Sequence, residues 1–211
     1  IIHGENMDDY IANLNQEDLF PDLLEFARQN KVPIINRDSL NLIKTYLYLF
    51  SSPKILEIGT AIGYSALHFA LANPTAQIDT LERDAKMIEI AQSNFQKYDG
   101  NHQINLIPVD ALEWDGWEKD RYQIIFIDGA KAQYQKFFAK YQEALEPGGL
   151  IITDNIGFHN LVGNDEKEKP KRIKNLVTKV ENYNQWLKDH PQFVTTFFPL
   201  GDGLAVSWKV R

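Results

Sequence analysis

The sequence predicts an α/β protein with a mostly parallel sheet of seven strands, helices ahead of it and an antiparallel hairpin at its C-terminal end. Three observations carry that expectation. Between residues 54 and 154 five short β-rich runs alternate with helical stretches, the pattern of a parallel sheet covered on both faces. The last two β-rich runs are joined only by Gly201, Asp202 and Gly203, a link so short that the strands must run antiparallel. The first fifty residues instead repeat apolar side chains near helical spacing.

Taken in order, Leu19, Leu23, Leu24, Phe26 and Ala27 mark a first helix. Leu40, Ile43, Leu47 and Phe50 mark a second after a cap signal at Asp38 and Ser39. KVPIIN at 31–36 is a short extended link between them. The strands follow as ILEIG (55–59), QIDTLE (77–82), INLIPVD (104–110), QIIFID (123–128) and LIITD (150–154). Helices fall at 84–98, with Ile88, Ala91 and Phe95 inward, and at 131–146, with Tyr134, Phe137, Phe138, Tyr141 and Leu145 inward. A helix at about 170–189 carries Ile173, Leu176, Val177, Val180, Tyr183 and Leu187, and precedes the strands FVTTFFPL and LAVSWKV. The only linker-like stretch is GNDEKEKPK at 163–171. One domain is expected, with residues 1–50 as a helical cap on a core of 51–211.

Composition narrows the function classes. Of 211 residues 44% are hydrophobic, enough for a sizeable core and against intrinsic disorder. The absence of cysteine excludes disulfides, thiolate metal sites, iron–sulfur clusters and cysteine nucleophiles. No apolar run approaches membrane-spanning length, and IIHGENMDDY lacks the features of a signal peptide, so a cytoplasmic setting is expected. The net charge of −7 means that any nucleic-acid contact must be local.

A parallel sheet binds its ligand at the carboxyl ends of its strands, where the strand order reverses. The first such end is ILEIGTAIGYS at 55–65, where Gly59 and Gly63 allow tight turns and close approach, and Ser65 lies in the first turn of the next helix. The spacing is G-x-x-x-G with Ala61 between, not the nicotinamide pattern G-x-G-x-x-G. Glu57 decides against a pyrophosphate, because like charges about 4 Å apart cost roughly 4 kcal/mol at an effective dielectric of about 20. S-adenosylmethionine, with its ammonium and sulfonium, suits a carboxylate there. Glu82 closes the second strand, where it would hold a ribose diol in a bidentate hydrogen bond, and Asp110 with Ala111 follows the third, within reach of the adenine edge. A single glycine turn is often only structural; acids at three successive strand ends point to a cofactor.

Asp128 ends the fourth strand, and Asp154 with Asn155 ends the fifth. Adjacent strands lie about 4.8 Å apart, so their terminal oxygens would converge. Two carboxylates and an amide, without His or Cys, form a hard oxygen set suited to Mg²⁺. A single Asp at such a position commonly just caps the next helix; the combined set favours the metal. Lys131, three residues after Asp128, would sit beside that cation, where its pKa should fall so that it can accept a proton from a hydroxyl.

These residues carry a family resemblance. ILEIGTAIGYSA, DGAK, TDN and PLGDGLAVS resemble the catechol-type, metal-dependent O-methyltransferases over residues 30–211. VPII and NYNQWLKDH are most similar to the bacterial tRNA 5-hydroxyuridine methyltransferases among them. The resemblance implies the Rossmann-like class I methyltransferase fold, S-adenosylmethionine as donor, and Mg²⁺ on Asp128, Asp154 and Asn155. It maps cofactor contacts onto Ile35, Glu57, Gly59, Thr60, Gly63, Ser65, Glu82, Asp110, Ala111 and Asp128, and catalysis onto Lys131 with Asp128. A homodimer is also expected. The chain departs from the family at DNIGFHN, where Gly157 and Asn160 replace the usual residues and alter the acceptor-side loop.

Lys167, Lys169, Lys171, Arg172, Lys174 and Lys179 form a basic run beside that loop, either a solvated helix face or an RNA-backbone contact. Lys31 and Arg37 could add to it, and Phe158 and His159 could stack on an extruded base. Trp114, Trp117, Trp186 and Trp208 read as core or interface anchors. The expected acceptor is therefore 5-hydroxyuridine in the tRNA anticodon loop, whose 5-hydroxyl and adjacent carbonyl mimic a catechol chelate. A small catechol-type molecule is the alternative. A non-catalytic S-adenosylmethionine-binding module is the rival from another class, and a nicotinamide oxidoreductase is disfavoured by Glu57 and the closing hairpin.

Overall fold

A computed structural model describes residues 10, 14–15, 18–119, 121–157, 161–162 and 170–210. Two helices, α1 (Pro21–Asn30) and α2 (Arg37–Leu47), come first. There follow β1 (Lys54–Ile58), α3 (Tyr64–Ala72), β2 (Gln77–Glu82), α4 (Ala85–Tyr98), β3 (Ile104–Pro108) and β4 (Tyr122–Ile127). The chain closes with α5 (Tyr134–Tyr141), β5 (Leu145–Asp154), α6 (Lys171–Lys188), β6 (Phe193–Phe198) and β7 (Leu204–Lys209). The seven strands lie in the order β3-β2-β1-β4-β5-β7-β6. Strands β1 to β5 pair in parallel, while β7 inserts antiparallel between β5 and β6. The α/β fold with its mostly parallel sheet, closing hairpin and N-terminal helices is as the sequence predicts.

Strand alternation sorts the core into two layers. Ile55, Ile124, Phe126 and Ile152 face the side of α1 to α4, sharing one apolar cluster with Leu23, Leu40 and Ile43. Leu56, Ile58, Ile125, Ile127 and Ile151 face α5 and α6 with Phe138, Tyr183 and Leu187. The order reverses at β1 and β4, so the ends of these two strands open a crevice at the switch point.

Several local expectations are corrected. The second helix is capped by Asn36, whose side chain accepts the Asp38 N–H at 2.8 Å, whereas Ser39 is buried within the helix. The helix expected at 131–146 divides into a 3₁₀ turn over Lys131–Gln133 and α5, and β5 begins at Leu145, five residues before the expected start. Gln142 ends α5 through its N–H to Phe138, and Leu145 pairs with Tyr122 before the register shifts. Leu19 lies ahead of α1 and is exposed rather than part of the helix, and Trp208 is 40% exposed on β7. Among the described residues no helix is long and apolar enough to cross a membrane.

Candidate active site

At the switch point a cleft of about 320 Å³ collects residues from the ends of five strands. Gly59 and Ala61 follow β1, Glu82 and Arg83 close β2, and Asp110 and Ala111 follow β3. Asp128 follows β4 and Asn155 follows β5, while Pro33 and Ile34 of the extended link form the opposite wall. A side recess adds Ile35, Thr60, Tyr64 and Ser65. Gly59 has φ +103°, and a Cβ there would lie 2.5 Å from the Asp128 carbonyl oxygen, so only glycine lets the first loop pass so near the end of β4. Gly63 caps α3 and packs on the Phe95 ring, away from the cleft.

Glu57 is placed differently from expectation. It is fully buried beneath the loop and absent from the cleft wall. Ser65 donates to one carboxylate oxygen and Thr80 to the other at 2.5 Å, and Thr80 in turn contacts the Thr60 hydroxyl at 2.6 Å. Burial pushes its carboxyl up to about 7, against the lowering effect of those hydroxyls. Glu57 thus orders Ser65 and, through Thr80, Thr60, both of which line the recess.

Glu82 does line the cleft, and backbone N–H groups engage both of its oxygens. One oxygen accepts the N–H groups of Arg83 and Asp84, each at 2.9 Å. The other accepts the Ala61 N–H at 2.9 Å and keeps one lone-pair site for a ligand hydroxyl. Asp110 accepts from Leu112 N–H at 2.9 Å and from the Arg83 guanidinium at 2.8 Å, which together hold its carboxyl below the usual aspartate range. The sequence reading missed Arg83, and the alternation of Glu82, Arg83 and Asp84 hid it among ordinary helix-start charges.

At the acidic end of the cleft Asp128 and Asn155 line the wall, and Asp154 lies buried next to Asn155. Asn155 adopts φ +60°, which Asn tolerates better than most side chains, and its Nδ2 donates to Asp128 Oδ1 at 3.1 Å. Asp154 accepts the Asn155 N–H at 2.8 Å, while Tyr134 OH donates to its carbonyl at 2.9 Å. Asn184 of α6 fixes the next residue by donating to the Ile156 carbonyl at 3.0 Å. Burial first and the charge of Asp154 second push the Asp128 carboxyl well above its ordinary value. Burial likewise raises Asp154 to about 6. Two sequestered carboxyl groups this close are stabilised by positive charge, and with the Asn155 amide they form a set of hard oxygens that fits an oxygen-seeking cation. Among the described residues no three His, Cys, Asp or Glu side chains gather in a group that could hold a metal ion.

Lys131 opens the 3₁₀ turn and lines a neighbouring groove rather than the main cleft. Burial lowers its ammonium pKa, opposed by Asp128, Asp202 and Asp154. Asp202 is a second residue that the sequence reading passed over, as a mere hairpin joint. Gly157 N–H donates to the Asp202 carbonyl at 2.6 Å and Ile156 N–H to the Gly203 carbonyl at 3.1 Å, tying the hairpin turn to the Asp154–Asn155 loop. A Cβ on residue 157 would lie 2.8 Å from the Asp202 carbonyl oxygen, which gives the Gly157 departure a physical reason. Phe158, His159, Asn160, Lys167 and Lys169 lie outside the described residues. Lys171, Arg172, Lys174 and Lys179 are exposed on α6.

Residues 12–210 match the family model described as O-methyltransferase. The chain belongs to the O-methyltransferase family. This O-methyltransferase is 26% identical over 176 residues to a caffeoyl-CoA O-methyltransferase of Stellaria longipes, covering 80% of this chain and 73% of that relative. A Staphylococcus aureus crystal structure of a candidate caffeoyl-CoA O-methyltransferase is 39% identical, with a TM-score of 0.87 over 96% of this chain and 97% of that one. A candidate O-methyltransferase from Klebsiella pneumoniae is 25% identical, with a TM-score of 0.81 over 97% and 96% of the two chains. The enzyme class is thus an S-adenosylmethionine-dependent O-methyltransferase. The relatives' names refer to a small acceptor, and the expected tRNA specificity finds no support in them.

Proposed function

We propose that this O-methyltransferase methylates a hydroxyl that has a second oxygen beside it, with a divalent cation such as Mg²⁺ held by Asp128, Asp154 and Asn155. The observation that carries the reading is the convergence of two buried carboxyl groups and an amide at adjacent strand ends, on the lip of a cleft sized for a nucleoside cofactor. When bound, S-adenosylmethionine supplies an electrophilic methyl group and the cation supplies the charge that acidifies a hydroxyl and orients two oxygens. The chain does the rest. Glu82 holds a ribose hydroxyl, Ser65 and Thr60 line the amino-acid end, and Asp110 and Ala111 border the adenine. Lys131, in the neutral amine form that burial favours, takes the proton that the acceptor hydroxyl loses and becomes the ammonium. Holding the acceptor oxygen in line with the methyl group supplies much of the rate.

A small acceptor of the catechol or caffeoyl-ester type is the first reading, supported by the names of the relatives. The second reading is 5-hydroxyuridine in tRNA, favoured by the four exposed cations Lys171, Arg172, Lys174 and Lys179 on α6, the helix whose Asn184 buttresses the loop of Asp154 and Asn155. Labelled S-adenosylmethionine with Mg²⁺, offered catechol, caffeoyl-CoA or tRNA carrying 5-hydroxyuridine, tests both. Replacing Lys171, Arg172 and Lys174 together by Ala should depress only tRNA labelling and flatten its salt dependence. Labelling of none of the three acceptors, or full labelling in excess chelator, refutes the proposal.

A further inference from the structure

We infer that the groove beside the cofactor cleft receives a phosphate group of the acceptor. The inference deepens the O-methyl transfer reading above and rests on it for the word acceptor. The groove, about 560 Å³, runs between residues 131–136 and α6. Gln133 lines both it and the cofactor cleft, so the groove begins where the reaction centre ends. Its cations come from three separate elements: Lys131 from the 3₁₀ turn, Lys136 from α5 and Lys179 from α6. No Asp or Glu lines it, and the remaining polar lining consists of hydrogen-bonding amides and phenols such as Gln135, Asn182 and Tyr183.

In a chain of net charge −7, Lys136 and Lys179 face each other across a wall that no acid lines, whereas Lys131 at its inner end is balanced by Asp128, Asp202 and Asp154. Lysines on facing elements repel one another unless an anion lies between them, and Lys136 and Lys179 are exposed with no ion pair among the described residues. Arg172 sits seven residues before Lys179, about two helical turns, so positive charge continues along one face of α6. Strongly charged, compact and rich in acceptor oxygens, a phosphate ester matches lysines and amide donors. Such a group belongs both to the coenzyme A arm of a small thioester and to the backbone of an RNA.

The test measures binding to the full chain of two probes, coenzyme A and an RNA anticodon stem-loop, for the native protein and for Lys136→Gln/Lys179→Gln. A tenfold or greater loss of affinity for either probe supports the groove, and the probe affected identifies the source of the phosphate. For RNA the slope of log affinity against log salt should shrink by about 1.4, two contacts at roughly 0.7 each. S-adenosylhomocysteine affinity, expected to stay within twofold, reports that the variant is folded; should it fall, Lys136→Gln and Lys179→Gln singly replace the pair. If neither probe binds the native protein, or the folded variants bind both probes as it does, the inference is overturned. Methylation of neutral catechol is assayed separately, so a failure of the methyl-transfer reading shows there and not in these affinities.

Discussion

Replacing Glu57 by Gln should remove a pH-dependent weakness from the ligand-free protein. The carboxyl is fully buried, and burial raises it from the usual 4.5 to about 7. Between those values the folded state keeps a proton that the unfolded chain has lost, so stability falls as pH rises from 4.5 to 7 and levels off above. At about 1.4 kcal/mol per pH decade over roughly two and a half decades, the native protein forfeits about 3 kcal/mol. Gln keeps the shape and can accept from Ser65 or Thr80 through only one oxygen, a loss of about 1 kcal/mol that is present at every pH. The variant should therefore be slightly less stable than the native protein at pH 5 and about 2 kcal/mol more stable at pH 8. Urea unfolding at four pH values, in chelator and without cofactor, reads the difference. Taking that difference cancels the other titrating groups that lie too far away to couple. A native-minus-variant gap that stays constant from pH 5 to pH 8 would refute the burial argument.

Three further perturbations follow from the site. Asp154→Ala should abolish turnover at any Mg²⁺ concentration while S-adenosylhomocysteine still binds, because Asp154 does not line the cofactor cleft; calorimetry and a methylation assay separate the two effects. Glu82→Ala removes one charged contact to a ribose hydroxyl and the support of the Ala61 N–H, so cofactor affinity should fall by roughly 1.5 to 3 kcal/mol, about ten- to a hundredfold, and unchanged affinity would remove Glu82 from the site. Gly157→Ala sets a Cβ against the Asp202 carbonyl and should cost about 1 to 3 kcal/mol in thermal unfolding, with turnover lowered as the Asn155 loop shifts; a melting temperature equal to the native one would show that the hairpin turn yields freely.

Sequence alone determined the order of elements, the parallel sheet, the closing hairpin and the identity of the strand-end residues. Those features follow from local periodicity: alternation of apolar residues marks the strands, and a short joint centred on Gly201, Asp202 and Gly203, five residues long in the structure, admits one pairing direction. A parallel sheet then brings its strand ends to a common edge, so Gly59, Glu82, Asp110, Asp128 and Asn155 could be named together before any coordinate was known. Local pattern did not reveal which side chains face the cleft. Glu57 lies one residue before the end of β1 and Glu82 ends β2, yet the first is buried against Ser65 and Thr80 and the second lines the cleft, because the loop of residues 59–63 folds over the first and donates a backbone N–H to the second. The anchoring of Tyr134, just after the helix break, on the Asp154 carbonyl and the approach of Asp202 to Gly157 are contacts between segments tens of residues apart. Only tertiary packing decides these, since they are set by which backbone groups remain unpaired once the sheet has formed.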